Sequence, residues 1–165
     1  RAGVVMGKVY SPKALSALRA EWKREGRTVV FTNGVFDILH RGHVEYLSAA
    51  KRLGDVLVVG VNTDASVRRL KGPLRPVVTQ DDRAYILSQL VSVDAAVLFD
   101  EDTPLALITS LVPDVLVKGA DYAVENIVGR EVVEKAGGTV RTIEFVPDRS
   151  TTGIVETVLA RFGAK

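Results

Sequence analysis

The chain has no cysteine, one methionine, one tryptophan and two histidines among its 165 residues. The missing cysteines exclude disulfides and thiolate metal sites. No apolar run reaches the roughly eighteen residues that a membrane-spanning helix needs, and no secretory leader pattern is present, so the chain reads as soluble and cytoplasmic. Net charge is also scarce: 22 Lys and Arg against 20 Asp and Glu leave +2, too little to imply a nucleic-acid surface. The one basic cluster, Arg68, Arg69, Lys71 and Arg75, is short and falls in a predicted loop. Aromatic residues make up only 6%, so aliphatic side chains must build the core. Two glycine motifs are missing as well. Neither G-x-G-x-x-G nor G-x-x-x-x-G-K-[ST] occurs, which counts against dinucleotide-dependent dehydrogenases and P-loop kinases.

A chain of this size removes roughly 70% of its unfolded surface from water, enough for one domain with a real core. Residues 1–10 read as an N-terminal extension, with the native start expected at Met6, and 11–165 as the domain. Ser11 followed by Pro12 opens a helix that closes at Gly26. "RTVVFTNG" is then a buried strand, and "HVEYLSAAKRLG" a helix with Val44, Leu47 and Ala50 on its apolar face. "DVLVVGVN" is the second strand, followed by a long polar connection. Thr79 with Asp82 predicts a capping box for "DDRAYILSQLVS". Strands at "DAAVLF", "DVLVKG" and "TVRTIEFV" alternate with helices at "PLALITSLV", "ENIVGREVVEKAGG" and "STTGIVETVLARF". Strands separated by helices predict an α/β fold: a single Rossmann-like, doubly wound domain with a five-stranded parallel sheet.

In such sheets ligands bind beyond the carboxyl ends of the strands, where strand order reverses. The loops there carry the candidates. After the first strand comes "TNGVFDILHRGH", which spends both histidines, His40 and His43, in one turn. His43 lies near a helix N-terminus, whose free N–H groups and dipole favour an anion. Gly42 removes a side chain that would crowd a phosphate, and two imidazoles there can stabilise charge building on phosphate oxygens. This describes a phosphate-handling site without a P-loop.

"TNGVFDILHRGH", "VNTDASVRRLKGP", "FDEDTPLALI", "PDVLVKGADY" and "DRSTTGIV" together resemble the H-x-G-H nucleotidyltransferase superfamily. The resemblance is closest to the adenylyltransferases that activate D-glycero-D-manno-heptose 1-phosphate for lipopolysaccharide synthesis. These occur alone or as the C-terminal half of a bifunctional kinase/adenylyltransferase. It runs from about Ser11 to Phe162 and makes 11–165 a nucleotidyltransferase domain. It implies attack of the acceptor phosphate on the α-phosphorus of ATP, with no covalent enzyme intermediate. His40, His43 and Lys71 would be catalytic. Thr32, Asn33, Gly34, Phe36, Gly42, Arg149, Ser150, Thr151 and Thr152 would bind the nucleotide. Asp37, Asn62, Asp64, Lys118, Asp121 and Tyr122 are substrate-side candidates, Asp37 more as an orienter of its loop. The protein itself would supply no metal site, Mg²⁺ arriving with the triphosphate, and a homodimer is implied. Val35 stands where the heptose enzymes often carry cysteine, and Ala120 where a second glycine is common.

Plainer readings stand beside these. A histidine pair on a helix also suits zinc, but no further ligands stand at a matching spacing. Lys71 and its neighbouring arginines also fit a solvated loop, and "STT" is a helix cap whether or not it holds phosphate. Asp121 and Tyr122 could simply end a strand, and Asn62 and Asp64 could be ordinary turn residues. Trp22 reads as packing, in the core or at a subunit contact, rather than as ligand stacking. The alternative functions are a cytidylyltransferase acting on glycerol 3-phosphate or a related phosphoalcohol, and a nucleotide-binding protein without turnover.

Overall fold

The computed structural model describes residues 7–163; the native start expected at Met6 lies outside the described residues. Strands β1 (Val29–Gly34), β2 (Val56–Asn62), β3 (Ala95–Phe99), β4 (Val115–Gly119) and β5 (Thr139–Ile143) form one sheet in the order β3-β2-β1-β4-β5. Every neighbouring pair is parallel. The helices are α1 (Pro12–Arg24), α2 (Arg41–Lys51), α3 (Asp64–Lys71), α4 (Gln80–Ser88), α5 (Leu105–Leu111), α6 (Arg130–Lys135) and α7 (Thr151–Phe162). The chain winds outward from β1 to β3, then crosses back to lay β4 on the other side of β1. Strand order therefore reverses between β1 and β4.

Successive strand side chains point to opposite faces, so continuous apolar runs bury both. Val29 and Phe31 of β1, with Val56 and Val58 of β2, pack under Leu15 and Trp22 of α1 and Ile108 of α5. Val30 of β1, with Leu57 and Val59 of β2, packs under Leu47 and Ala50 of α2 and Leu87 of α4. Trp22 is thus a core residue, 7% exposed. Each such aliphatic side chain contributes on the order of 1.5–3 kcal/mol by leaving water.

The structure revises several local expectations. Val44 is 39% exposed while Tyr46 is buried, so the inner face of α2 is rotated toward Tyr46. The polar connection after β2 is not all loop, because Asp64–Lys71 is helical, capped by Thr63 Oγ1 accepting from Ser66 N at 3.2 Å. Thr79 does occupy the N-cap of α4, but its side chain makes no capping hydrogen bond. The helix expected over "ENIVGREVVEKAGG" shrinks to Arg130–Lys135 after a 3₁₀ turn at Val124–Asn126, since Gly129 (φ 87°) interrupts it. Residues 8–10, read as an extension, belong to the fold. Ala96 N donates to Lys8 O at 2.9 Å, Tyr10 N donates to Ala96 O at 2.8 Å, and Val9 is buried at the β3 edge.

Candidate active site

β1 ends at Gly34, and the chain then turns through Phe36 in the left-handed region (φ 50°) before α2 begins. That turn lies over the reversal point and opens on a cleft of about 1050 Å³. His40 is the N-cap residue of α2, and its side chain leaves the helix's own N–H groups alone. His43 follows one turn on, so the two rings stack with centroids 3.8 Å apart and planes 24° from parallel. Phe36 meets His43 edge-on at 5.3 Å.

Burial holds the His43 pKa down to about 4, with the neighbouring His40 as the smaller cause. His40 is lowered too, first by burial and then by the Arg149 guanidinium. Both rings are therefore neutral near pH 7, each carrying one N–H donor and one lone pair. The Nδ1 atoms of both are buried and have no hydrogen-bond partner. The rings stand side by side at a helix head, where a bound anion would accept from the N–H that each neutral imidazole carries.

Gly42 also eases a close contact within the protein itself. A Cβ there would stand 2.9 Å from His40 Cε1 and 3.1 Å from Arg149 Cβ. Its bareness lets the histidine turn and the loop before α7 touch. Ser150 caps α7, its Oγ accepting from Gly153 N at 2.9 Å, and the Thr151 hydroxyl donates to Ile38 O at 3.1 Å. These contacts bring the first turn of α7 against the histidine loop. A depression of about 560 Å³ along α7 shares His40, Arg149 and Ser150 with the cleft and forms an annex to it.

Most of the sequence-derived candidates line the cleft: Asn33, Gly34, Phe36, Asp37, Gly42, Asn62, Lys71, Lys118, Asp121, Tyr122, Arg149, Ser150, Thr151 and Thr152, with both histidines. Lys71 is the last residue of α3 rather than a loop residue, carried to the cleft on a helix end. Asn62 is buried and donates to Ser66 Oγ at 3.0 Å. Lys118 Nζ donates to Asn33 Oδ1 at 2.6 Å and lies 5.4 Å from the Tyr122 ring centroid. Burial lowers its pKa to about 8, against a smaller raising effect of Asp121.

Two candidates lie outside the lining. Thr32 is fully buried, its hydroxyl 2.8 Å from Tyr46 Oη and donating to Val117 O at 3.0 Å. Asp64 instead accepts from Arg83 Nη2 at 2.8 Å. Arg83, missed in the sequence, has a fully buried side chain that also donates to Val35 O at 2.6 Å and Val78 O at 2.9 Å. Asp37 accepts from Val77 N at 2.9 Å and Val78 N at 2.8 Å and pairs with Arg75 at 3.3 Å. Arg83 and Asp37 together tie the histidine loop to the 75–78 segment. Of the other arginines, Arg68 and Arg69 lie off the cleft, and Arg69 pairs with Asp102 at 2.9 Å. Sequence reasoning also passed over Tyr46 and Phe145. Tyr46 stands three residues after His43 and so shares its helix face, a usable signal; Phe145 has none in the sequence.

The family model described as "Cytidylyltransferase-like" matches residues 31–156. The chain is 54% identical over 155 residues to the "Bifunctional protein HldE" of Trichlorobacter lovleyi, covering 94% of this chain and 32% of that protein. It is 60% identical over 144 residues to the protein of the same name from Mesorhizobium japonicum, covering 86% of this chain and 29% of that one. It therefore spans about a third of the length of these curated relatives. Among solved structures, the lipopolysaccharide core biosynthesis protein from Thermoplasma volcanium GSS1 is similar at 35% identity with a TM-score of 0.60. That match covers 73% of this chain and 98% of that one.

Proposed function

Because this chain belongs to the cytidylyltransferase-like family, we propose that it is a nucleotidyltransferase that joins ATP to D-glycero-D-manno-heptose 1-phosphate. The products are ADP-heptose and pyrophosphate, for lipopolysaccharide core synthesis. The observation that carries this reading is the stacked, neutral histidine pair with two unpartnered Nδ1 atoms at the head of α2. The kinship with proteins named HldE and with a lipopolysaccharide core biosynthesis protein supports the choice of acceptor.

In the proposed reaction an oxygen of the sugar phosphate attacks the α-phosphorus. A new P–O bond forms as the bond to the β-phosphate bridging oxygen breaks, and pyrophosphate leaves with that electron pair. The protein's task is positioning and charge stabilisation. His40 and His43 donate N–H groups to the α-phosphate oxygens, whose charge grows in the transition state. The nearby anion favours the protonated imidazole, in which both ring nitrogens donate. Arg149, Ser150, Thr151 and Thr152 hold the β- and γ-phosphates at the head of α7, and Lys71 closes from the end of α3.

Among the described residues no group of three or more His, Asp or Glu could hold a metal ion. Mg²⁺ would arrive with the nucleotide, held mainly by triphosphate oxygens and water, where it would offset phosphate charge. Asp37 is already committed to Val77, Val78 and Arg75. No described helix is long and apolar enough to cross a membrane. A cytoplasmic homodimer completes the proposal, and sedimentation velocity tests the dimer.

Pyrophosphate release with Mg²⁺ is the test, crossing ATP, CTP, GTP and UTP against heptose 1-phosphate, glycerol 3-phosphate and a hexose 1-phosphate. Turnover confined to ATP with heptose 1-phosphate is expected. The family's description keeps CTP in the grid, and turnover with CTP and glycerol 3-phosphate would replace this reading with a phosphoalcohol cytidylyltransferase.

A further inference from the structure

The histidine turn is gripped from two sides. Its 40–42 end meets the loop before α7, where a Cβ on Gly42 would stand 3.1 Å from Arg149 Cβ. Its 35–37 end is tied to the segment that follows α3. There Asp37 accepts from Val77 N and Val78 N, and Arg83 bridges Val35 O and Val78 O. The sheet order puts β2, which leads into α3, and β5, which leads into α7, on opposite sides of β1. Nucleotidyl transfer uses two such opposed sides, because the attacking and leaving oxygens lie roughly in line through the reacting phosphorus. With the α-phosphate at the histidine pair and the β- and γ-phosphates at the head of α7, pyrophosphate departs toward α7. The attacking phosphate must then enter from the side of residues 72–78. It carries close to two negative charges near pH 7 and has to approach a triphosphate, so a cation is needed to meet it there.

Arg75 stands at that entrance and lines the cleft. Among the described residues its guanidinium makes one side-chain hydrogen bond, from Nη1 to Asp37 Oδ2 at 3.3 Å. That is a long, single contact, whereas a forked guanidinium–carboxylate pair closes to about 2.7–2.9 Å. Asp37 does not depend on it, since Val77 N at 2.9 Å and Val78 N at 2.8 Å already donate to the same carboxylate. No Arg75 nitrogen is a buried atom lacking a partner, so the remaining donors open onto the cleft. The other cations there differ. Lys118 donates to Asn33, Arg149 donates to Asp148 O beside α7, and Lys71 offers a point charge rather than a fork.

We infer that Arg75 is the residue that receives the acceptor's phosphate. The inference rests on the adenylyltransferase reading and deepens it. Two N–H groups on one edge of the guanidinium meet two oxygens of the phosphate monoester, and the third oxygen is left to attack the α-phosphorus. The new P–O bond forms there as the bond to the β-phosphate bridging oxygen breaks, and Arg75 neither gives nor takes a proton. Asp37 becomes a positioning residue: its backbone contacts fix the 75–78 segment, and its weak pair with Arg75 aims the guanidinium without occupying it.

Steady-state kinetics with each substrate varied, beside calorimetric titration of ATP without acceptor, test the assignment in the wild type, Arg75→Gln and Arg75→Lys. Arg75→Gln should raise the KM for heptose 1-phosphate by about ten- to a hundred-and-fiftyfold, the range that a hydrogen bond to a charged group supplies, and leave the Kd for ATP unchanged. Inorganic phosphate should compete with the sugar phosphate in the wild type and lose that inhibition in Arg75→Gln. Arg75→Lys, which keeps the charge beside Asp37 but not the fork, should show the same selective loss at smaller size. An unchanged KM for the sugar phosphate overturns the assignment. So does an equal weakening of ATP and sugar phosphate, which a purely structural tie to Asp37 would give. Both outcomes leave the enzyme reading intact, whereas a wild type that releases no pyrophosphate from ATP with heptose 1-phosphate removes that reading as well.

Discussion

Lys118 at the end of β4 reaches across the strand-order reversal to Asn33 at the end of β1, its Nζ donating to Oδ1 at 2.6 Å. The contact holds an ammonium group at the centre of the cleft at the cost of burying it. Burial lowers its pKa from 10.5 to about 8. The unfolded chain therefore binds the proton more tightly between those values, and the native state gains stability as pH rises from about 8 toward 10.5. Below pH 8 the penalty is complete. Lys118→Met should be more stable than the wild type at pH 7, lose that pH slope and lose turnover. Urea melts at pH 7, 8.5 and 10 check this; a destabilised variant would show that the Asn33 bond outweighs the burial.

His43→Ala should lower kcat by about a hundredfold or more, the scale of losing one preorganised donor to transition-state charge. ATP affinity and the unfolding midpoint should change little. Steady-state kinetics beside calorimetry decide it, and a variant that fails to fold would mark the histidine as structural.

His43 also predicts the acid behaviour of the fold. Its native pKa of about 4 lies below the usual 6.5, first because of burial and then because of His40. Between those values the unfolded chain takes up a proton that the native state refuses, so stability is complete above pH 6.5 and is lost as pH falls toward 4. His43→Gln should lose less stability between pH 7 and pH 5 than the wild type does. Equal losses in denaturant melts would contradict a half-buried, neutral His43.

Gly42→Ala tests the contact between the histidine turn and the loop before α7. Inside a helix this exchange ordinarily stabilises by about 0.5–1 kcal/mol. Here the new methyl would meet His40 Cε1 at 2.9 Å and Arg149 Cβ at 3.1 Å, so the His40 ring and the loop before α7 must give by a few tenths of an ångström. Activity should fall severalfold, less than the roughly hundredfold that a misplacement of about 1 Å costs, with melting temperature nearly unchanged. Wild-type kinetics would show that the loops tolerate the shift.

Arg83→Met should destabilise by about 1–3 kcal/mol, because removing the buried guanidinium leaves its acceptors without a donor, although the half-buried Asp64 can turn to water. Asp64, Val35 O and Val78 O would all lose their donor. Equilibrium urea unfolding reads the loss, and a change under about 1 kcal/mol would mean that water replaces the guanidinium at those acceptors.

Much of the site was legible because its chemistry is local. The histidine turn follows one strand directly, "STT" caps one helix, and each lies within a few residues of the glycine or proline that bounds it. Asp64 misled because a carboxylate in a post-strand turn looks the same whether it faces a ligand or a partner. Its partner, Arg83, stands 19 residues away. Thr32 misled because strand alternation shows only that a side chain points off the sheet, not what covers it.

By itself the sequence determined the α/β class, the order of five strands and their helices, and the pairing of His40 with His43 at a helix head. These follow from hydrophobic period and capping, which act over a few residues. Only the tertiary structure decided that β4 returns beside β1, which sets Lys118 against Asn33. It alone brought Arg149 against Gly42, turned Arg83 inward and stacked Phe145 on Tyr46 over Gly119. Those contacts join residues far apart in the chain, and their geometry comes from packing the sheet and its two helix layers together rather than from any local preference.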